Sequence, residues 1–339
     1  MPLPCFREAG ADLTLIPIGY AQLTSAGPSA VMPRPSTMHR RDALAWRGIH
    51  RQTSVMDLLL PPVPTSVSES IVTVGDIDLR ILRAGAGRPL LLLPGWTCSA
   101  DFFVHQLTGL SDRFDVIAVD PRGHGGSTKP LTGNTFAQRG DDLAGLIDAL
   151  GLDEVVLLGW SFGVLDALSY VRRHGTSRLA AVVLADETPK VPADPSDPSE
   201  WGEAPLAHDG IVAFLRAMID TRVEFWTEYA IYMLGLPEDT TADHPDVARV
   251  VELGLQTPEH VAIKTAADGL TSDYSAEAAA VAAAVPTLFI AREDWAEDAE
   301  RWVKANMPEA AFETMPVHMG FATAPDEFNE AVARFAGQP

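Results

Sequence analysis

The stretch Val155-Val156-Leu157-Leu158-Gly159-Trp160-Ser161-Phe162-Gly163 decides the fold. Its first four residues form a continuous apolar run, which is typical of a strand buried on both faces. Residues 162–174 then have the composition of a helix. Gly159, Ser161 and Gly163 therefore fit the G-x-S-x-G turn in which a serine stands at the carboxyl edge of a sheet.

The position of this motif makes it informative. Five matching letters alone are a moderately specific signal, but a buried strand before them and a helix after them fit the motif closely. The serine occupies a strained turn, and the glycines two residues away on either side avoid clashes with the neighbouring strand and helix. The alternative is an ordinary strand–turn–helix unit in which Ser161 only caps the helix.

Outward from this turn, strands and helices alternate. Strands alternating with helices predict a mostly parallel sheet covered by helices on both faces. A hairpin around Gly75-Asp76 precedes the alternation. The other predicted strands and helices are as follows. Strands are predicted at 71–74, 77–82, 89–93, 116–119, 155–158, 179–185, 287–291 and 311–315, and helices at 100–111, 141–150, 162–174 and 325–335.

Residues 190–280 interrupt the alternation. They are mostly helical in pattern, and the run 210–234 predicts one long helix or two. We interpret this region as a helical cap over the edge of the sheet. Its aromatic residues either line a pocket for an apolar substrate or form the core of the cap itself. They are Phe214, Phe225, Trp226, Tyr229 and Tyr232.

The charge is unevenly distributed along the chain. The 339 residues carry a net charge of −21, but residues 1–56 contain six arginines and three acidic residues, so the remainder carries −24. Residues 1–66 are rich in proline and lack sustained periodicity, which predicts a poorly ordered extension and linker. The pair Arg40-Arg41 faintly resembles a twin-arginine leader, but Arg47 interrupts the apolar stretch such a leader needs, and Met56 is a plausible functional start.

Composition excludes several classes of protein. An acidic chain repels phosphate backbones, so we expect no nucleic-acid partner, and no apolar run is long enough to cross a bilayer. Two cysteines, Cys5 and Cys98, cannot form a disulfide framework and suit a reducing compartment. These features predict a cytoplasmic protein without a membrane partner, and they leave open whether it forms a homo-oligomer.

Four motifs together resemble the α/β-hydrolase fold family. They are Pro94-Gly95-Trp96 after a predicted strand, the loop Asp120–Ser127, the serine turn, and Val317-His318-Met319 near the C-terminus. The loop is similar to the D-x-R-G-x-G-x-S segment of the cap-bearing esterase and haloperoxidase-like branch. The resemblance implies an α/β-hydrolase core at 67–189 and 281–339, a cap at 190–280, and a structural role for His124.

The resemblance also implies a serine nucleophile, a base and an acid in the order Ser…Asp/Glu…His. Ser161 is then the nucleophile and His318 the base that takes its proton. The acid is open between two strand ends. Asp186 follows the strand at 179–185, whereas Asp294 follows the strand at 287–291, where many family members place the acid in a G-x-x-D turn. That turn lacks its glycine here. If Arg292 takes the place of the glycine, Trp295 stands where the acid would be. We favour Asp186 as the acid.

Acyl transfer also needs hydrogen-bond donors for the developing oxyanion. The backbone N–H of Phe162 supplies one, and the resemblance assigns the second to Trp96, in a loop that carries Pro94-Gly95 instead of the common His-Gly pair. The rings of Trp96 and Trp160 either shape an apolar pocket or only pack. No dinucleotide-binding or P-loop motif is present, and no histidine pair has a strong metal spacing, so we expect neither a cofactor nor a metal.

Three functions are compatible with these residues. The leading one is a serine hydrolase that cleaves a small or medium, mostly apolar carboxylic ester or lactone through an acyl-enzyme. The second keeps the fold but performs C–C hydrolase, perhydrolase-type haloperoxidase or cofactor-free dioxygenase chemistry, because a fold does not fix function. The third is a ligand-binding protein without catalysis. An acidic body disfavours polyanionic substrates and leaves neutral esters open.

Overall fold

One twisted sheet organises the chain in the computed structural model, which describes residues 58–193, 197, 199–202 and 208–337. The sheet has the strand order β1-β2-β4-β3-β5-β6-β7-β8. The strands are β1 Ser68–Val74, β2 Ile77–Gly85, β3 Arg88–Leu93, β4 Phe114–Val119, β5 Val155–Trp160, β6 Leu179–Ala185, β7 Thr287–Arg292 and β8 Ala311–Met315. Each strand predicted from the sequence is present within three residues of its expected bounds.

The pairing of the strands is antiparallel at one edge and parallel elsewhere. The hairpin β1–β2 is antiparallel, and β2 also runs antiparallel to β4. From β4 through β3 and β5 to β8, every neighbouring pair is parallel. The strands β4, β5 and β7 are buried along their whole length, as expected for apolar strands covered on both faces. The predicted mostly parallel sheet is confirmed.

Helices cover both faces of this sheet. On one side α2 packs against α3, and on the other α1 packs against α11. Short 3₁₀ helices lie at Ala100–Phe103 and Glu293–Trp295. The α-helices are α1 Val104–Gly109, α2 Phe136–Ala149, α3 Phe162–His174, α4 His208–Asp220, α5 Arg222–Met233, α6 Pro245–Gly254, α7 Glu259–Gly269, α8 Ser275–Ala284, α9 Ala296–Asn306, α10 Gly320–Thr323 and α11 Pro325–Ala336.

The cap predicted between β6 and β7 is a set of helices. The run that predicted one helix or two forms two, α4 and α5, separated at Thr221. Within the cap α5 packs against α6, and α4 packs against α7. Helix α8 packs instead against α3 and α9 of the core. Since the predicted boundary at residue 280 falls inside α8, we propose that the cap ends before Ser275.

The predicted N-terminal extension lies mostly outside the described residues. Its last part, 58–66, is described and contacts the body of the protein. The backbone N–H of Leu59 donates to Asp246 of α6 at 2.8 Å, and its carbonyl oxygen lies 2.9 Å from His105 Nε2. Leu60 is 1% exposed. Leu59 and Leu60 are therefore packed against the body of the protein, whereas Pro62, Thr65 and Ser66 of the same segment are exposed.

Candidate active site

Ser161 occupies the strained turn that the sequence predicts. It lies between β5 and α3 with φ 52° and ψ −134°, in the positive-φ region that non-glycine residues rarely adopt. Its N–H donates to the carbonyl oxygen of Ala185 at 2.8 Å, which ties the turn to the end of β6. A Cβ at Gly159 would clash with Gly163, and a Cβ at Gly163 would clash with Leu93 of β3. Both glycines are therefore required for the turn to fit between sheet and helix.

His318 lies in the loop between β8 and α10. Its Nδ1 is 2.6 Å from Oδ2 of Asp186, and its backbone carbonyl oxygen accepts the indole N–H of Trp160 at 2.8 Å. Trp160 directly precedes Ser161, and its ring centroid is 5.1 Å from that of His318. Ser161 and His318 are 4% and 3% exposed, so both lie beneath the surface. Among the described residues, no group hydrogen-bonds to His318 Nε2, so this nitrogen is free to accept a proton.

Asp186 lies at the carboxyl end of β6 and is completely buried. It has φ 56°, and four donors converge on its carboxylate. The backbone N–H of Arg292 and the indole N–H of Trp295 donate to Oδ1 at 2.8 and 2.7 Å. Arg292 Nη1 at 3.0 Å and His318 Nδ1 at 2.6 Å contact Oδ2. A carboxylate held on both oxygens can fix the imidazole in one tautomer and stabilise its cation.

The protonation of Asp186 follows from these contacts. Burial by itself raises the pKa of the carboxyl, because it removes the charged form from water. The charge of Arg292, the hydrogen bond and charge of His318 and the backbone N–H of Arg292 act in the opposite direction and hold the pKa below its ordinary value. Asp186 is therefore ionised at neutral pH, as a partner of an imidazolium must be.

Asp294, the other candidate acid, lies apart from the histidine. Its side chain is 53% exposed, and its Oδ1 is 2.9 Å from Nε of Arg292. The guanidinium of Arg292 therefore pairs with Asp294 on one side and with Asp186 on the other. The structure brings Asp186 to His318 and leaves Asp294 near the surface.

The loop after β3 lies directly against Ser161. A Cβ added at Gly95 would be 2.9 Å from Cβ and 3.3 Å from Oγ of Ser161, so only glycine allows this approach. Trp96 follows, and Thr97 turns the chain with φ 55°. Phe162 is the first residue of α3, and its N–H is one of those that a helix leaves without an intrahelical acceptor. Of the two predicted oxyanion donors, Phe162 directly follows Ser161, and Trp96 follows Gly95, which lies against Ser161.

The ring of Trp96 joins this loop to the cap. Its Nε1 donates to the carbonyl oxygen of Ala262 in α7 at 2.9 Å, and the ring stacks on Trp226 of α5 with centroids 5.6 Å apart. The hydroxyl of Thr257 also donates to the carbonyl oxygen of Thr97 at 3.1 Å. The ring of Trp160 is fully buried and packs on Phe102, Phe321 and His318.

Comparisons with known proteins agree with this architecture. Residues 88–213 match the family model of the alpha/beta hydrolase fold. A bromoperoxidase from Bacillus anthracis superposes with a TM-score of 0.71 at 23% identity, over 80% of this chain and 100% of that one. An esterase from Exiguobacterium antarcticum superposes equally well, with a TM-score of 0.71 at 22% identity over 80% and 100% of the two chains. The chain has the alpha/beta hydrolase fold.

Curated relatives match over a shorter span. The 2-(acetamidomethylene)succinate hydrolase of Mesorhizobium japonicum is 36% identical over 129 residues, which cover 38% of this chain and 46% of that protein. A non-heme chloroperoxidase of Kitasatospora aureofaciens is 35% identical over 147 residues, or 43% and 52% of the two chains. The chain thus spans about half the length of these curated relatives.

The Asp120–Ser127 loop of this hydrolase-fold chain is structural. The carboxylate of Asp120 accepts the N–H groups of Ala100 and Gly126, both at 2.6 Å. His124 Nδ1 lies 2.9 Å from the carbonyl oxygen of Cys98, and burial holds the pKa of its ring well below the ordinary value. His124 is therefore neutral. Asp120 and His124 thus contact Ala100 and Cys98, in the segment that follows β3.

Two residues of the site were not predicted from the sequence. In the sequence, Arg292 and Trp295 stand out only because they depart from the G-x-x-D pattern. In the structure, both donate hydrogen bonds to Asp186. The one signal was the missing glycine of the G-x-x-D pattern.

Within the described residues, no group of three or more histidine, cysteine or acidic side chains could hold a metal ion. In the same part of the chain, no helix is long and apolar enough to span a bilayer.

Proposed function

We propose that the chain is a serine hydrolase that cleaves a small or medium, mostly apolar carboxylic ester or lactone. The observation that supports this is the strained turn of Ser161 together with the buried pair His318–Asp186. Ser161 attacks the carbonyl carbon, and His318 Nε2 takes its proton and returns it to the leaving alcohol. Water activated by His318 then hydrolyses the acyl-enzyme, and Asp186 stabilises the imidazolium in both steps.

The oxyanion donors complete the proposed mechanism. The N–H groups of Trp96 and Phe162 would stabilise the negative charge that develops on the carbonyl oxygen. The positive end of the α3 dipole acts in the same direction, since Ser161 directly precedes its first residue. Because the ring of Trp96 is bound to cap helices α5 and α7, a shift of the cap also shifts this donor.

Aromatic rings of the cap lie against the loop that carries Trp96. Trp96 contacts Phe214, Phe225 and Tyr229 of the cap, with ring centroids 5.4 to 6.1 Å apart. Most of these rings pack on one another, which is the behaviour of a cap core. Since Ser161 and His318 are almost fully covered, the substrate is small or enters after the cap has moved. An acyl chain of short to medium length is compatible with either alternative.

A panel of acyl esters of increasing chain length, together with simple lactones, tests this proposal. We expect hydrolysis with an optimum at short or medium chains, and a loss of at least about 10³-fold in kcat for Ser161→Ala. The exposed variant Asp294→Asn serves as the folded control. No turnover of any ester or lactone by a protein that unfolds cooperatively would overturn the proposal.

One observation favours a second function. By the resemblance, an acid placed 25 residues after the nucleophile is expected in the cofactor-free dioxygenases of this fold, and Asp186 occupies that position. In that reaction His318–Asp186 would deprotonate a heteroaromatic substrate and no acyl-enzyme would be needed. Oxygen consumption with hydroxylated N-heteroaromatic compounds, retained in Ser161→Ala, would identify this chemistry in place of ester hydrolysis.

A further inference from the structure

We propose that Arg292 is a positioning residue of the reaction: its guanidinium holds Asp186 against His318, and its charge influences how the labelling of Ser161 depends on pH. This inference rests on the proposed function, since it concerns the same serine, histidine and acid. Arg292 ends β7, at the turn that lacks the glycine of the G-x-x-D pattern.

The geometry places two nitrogen groups on one carboxylate oxygen. Arg292 Nη1 is 3.0 Å and His318 Nδ1 is 2.6 Å from the same Oδ2 of Asp186. The backbone N–H of Arg292 also donates to Oδ1 at 2.8 Å. When His318 is protonated, its imidazolium therefore shares its counter-ion with a permanent guanidinium cation.

The guanidinium is held in this place by aromatic rings. It lies 3.5 Å from the ring centroid of Trp295 and 5.6 Å from that of Tyr232. Arg292 is 7% exposed, so solvent and salt screen its charge only weakly. The arginine cannot swing out to water without breaking these contacts, and its charge acts on His318 in every state of the site that keeps them.

Other titratable groups around the pair are anionic or neutral. Asp294 lies 2.9 Å from Arg292 Nε on the solvent side. Glu187, the residue after Asp186, is 1% exposed and accepts the N–H of Thr188 at 2.9 Å. Tyr232 of α5 has its ring centroid 6.2 Å from that of His318. Of the groups named here, Arg292 is therefore the one that opposes the positive charge on the imidazole.

The direction of the effect follows from electrostatics. A nearby cation disfavours protonation of His318, so removing it favours the imidazolium form. The pH at which half of the enzyme is active then moves upward, by about one pH unit for a unit charge at this range. A residue that only packs the turn would lower the rate at every pH and leave this midpoint unchanged.

The test is the rate of Ser161 labelling by a fluorophosphonate probe as a function of pH, which requires no knowledge of the substrate. For Arg292→Gln we expect the midpoint to rise by about one pH unit. For Arg292→Lys, which keeps the charge, we expect a lower plateau rate and a midpoint within about 0.3 units of wild type. An unchanged midpoint in Arg292→Gln would overturn the proposal.

Two further measurements keep the test decisive. Asp294→Asn removes an exposed anion from the outer side of Arg292 and should lower the midpoint by about 0.3 to 0.5 units. If Arg292→Gln does not fold, an unchanged midpoint in Asp294→Asn would overturn the proposal. NMR titration of the His318 imidazole in wild type and Arg292→Gln measures the effect of the Arg292 charge without requiring catalysis. An upward shift by NMR with no labelling of the wild type would reject the proposed function and retain the role of Arg292. If labelling and NMR both give equal midpoints in all variants, the role of Arg292 is rejected and the proposed function is retained.

Discussion

The ends of two neighbouring strands, β6 and β7, have opposite chemistry. They are parallel and adjacent in the sheet, so their carboxyl ends reach the same edge. The chain leaves β6 through Asp186, which is fully buried and has a positive φ. It leaves β7 through Arg292 and a short 3₁₀ helix in which Asp294 is 53% exposed.

The two strand ends therefore differ in what they supply: one carries the buried carboxylate, and the other carries the donors that bind it. A buried carboxylate is stable only when donors replace the water it has lost. The end of β7 supplies three of them to Asp186: a backbone N–H, a guanidinium and an indole N–H. The end of β7, where the G-x-x-D pattern would place the acid, thus donates to the carboxylate at the end of β6 that we propose as the acid. Four substitutions test this division, from the largest expected effect to the smallest.

Asp186→Asn should cause the largest loss of activity. The amide keeps the shape of the side chain but cannot hold the imidazole in the required tautomer or stabilise its cation. We expect kcat for an ester substrate to fall by about 10³- to 10⁴-fold. Steady-state kinetics on the variant measures this. A loss below tenfold would show that His318 does not depend on Asp186.

Arg292→Met should cause the largest loss of stability. It leaves the Asp186 carboxylate buried with one cationic partner fewer, which costs about 3–5 kcal/mol of unfolding free energy. Urea unfolding measures the difference. The matched control is Arg301→Met, because Arg301 is 56% exposed and its pair with Asp298 is worth less than about 1 kcal/mol. Equal stability losses in both variants would contradict the central role assigned to the buried pair.

Trp295→Phe removes one hydrogen bond and keeps an aromatic ring in place. The indole N–H donates to Asp186 at 2.7 Å, and its loss should lower kcat about 5- to 10-fold with little change in KM, the effect of about 1–1.5 kcal/mol. Trp302→Phe is the matched control. Both rings pack on Trp201, with centroids 5.1 and 6.1 Å away. If Trp302→Phe lowers kcat as much, the effect comes from packing and not from the hydrogen bond.

Asp294→Asn should have the smallest effect. Its carboxylate is half exposed and bonded to the outer side of Arg292, so we expect kcat to stay within about twofold of wild type. The same ester assay measures it. A loss comparable to that of Asp186→Asn would place the acid at the end of β7 and reverse the comparison.

The sequence predicts the framework of this molecule better than its site. Strands such as β5 and β6 are short apolar runs, and the glycines around Ser161 fit one kind of turn, so local pattern is sufficient for both. The choice between Asp186 and Asp294 was favoured from the sequence but needed three-dimensional contacts, since each follows a strand.

The contacts that support the acid are long-range, which is why the sequence did not reveal them. Arg292 and Trp295 act on an atom more than a hundred residues earlier in the chain, and no local periodicity records this. The same holds for Trp96, whose stacking on Trp226 depends on how the cap folds back. Helix α2 also begins at Phe136, five residues before its predicted start, where Phe136 is buried against Phe162.

The labelling of the intact protein by a fluorophosphonate, followed by mass spectrometry of its peptides, tests the central claim most directly. The account predicts a single adduct on Ser161, formed at least about 100-fold more slowly in Asp186→Asn and at nearly the wild-type rate in Asp294→Asn. No adduct, an adduct on another residue, or labelling that survives in Asp186→Asn and disappears in Asp294→Asn would contradict it.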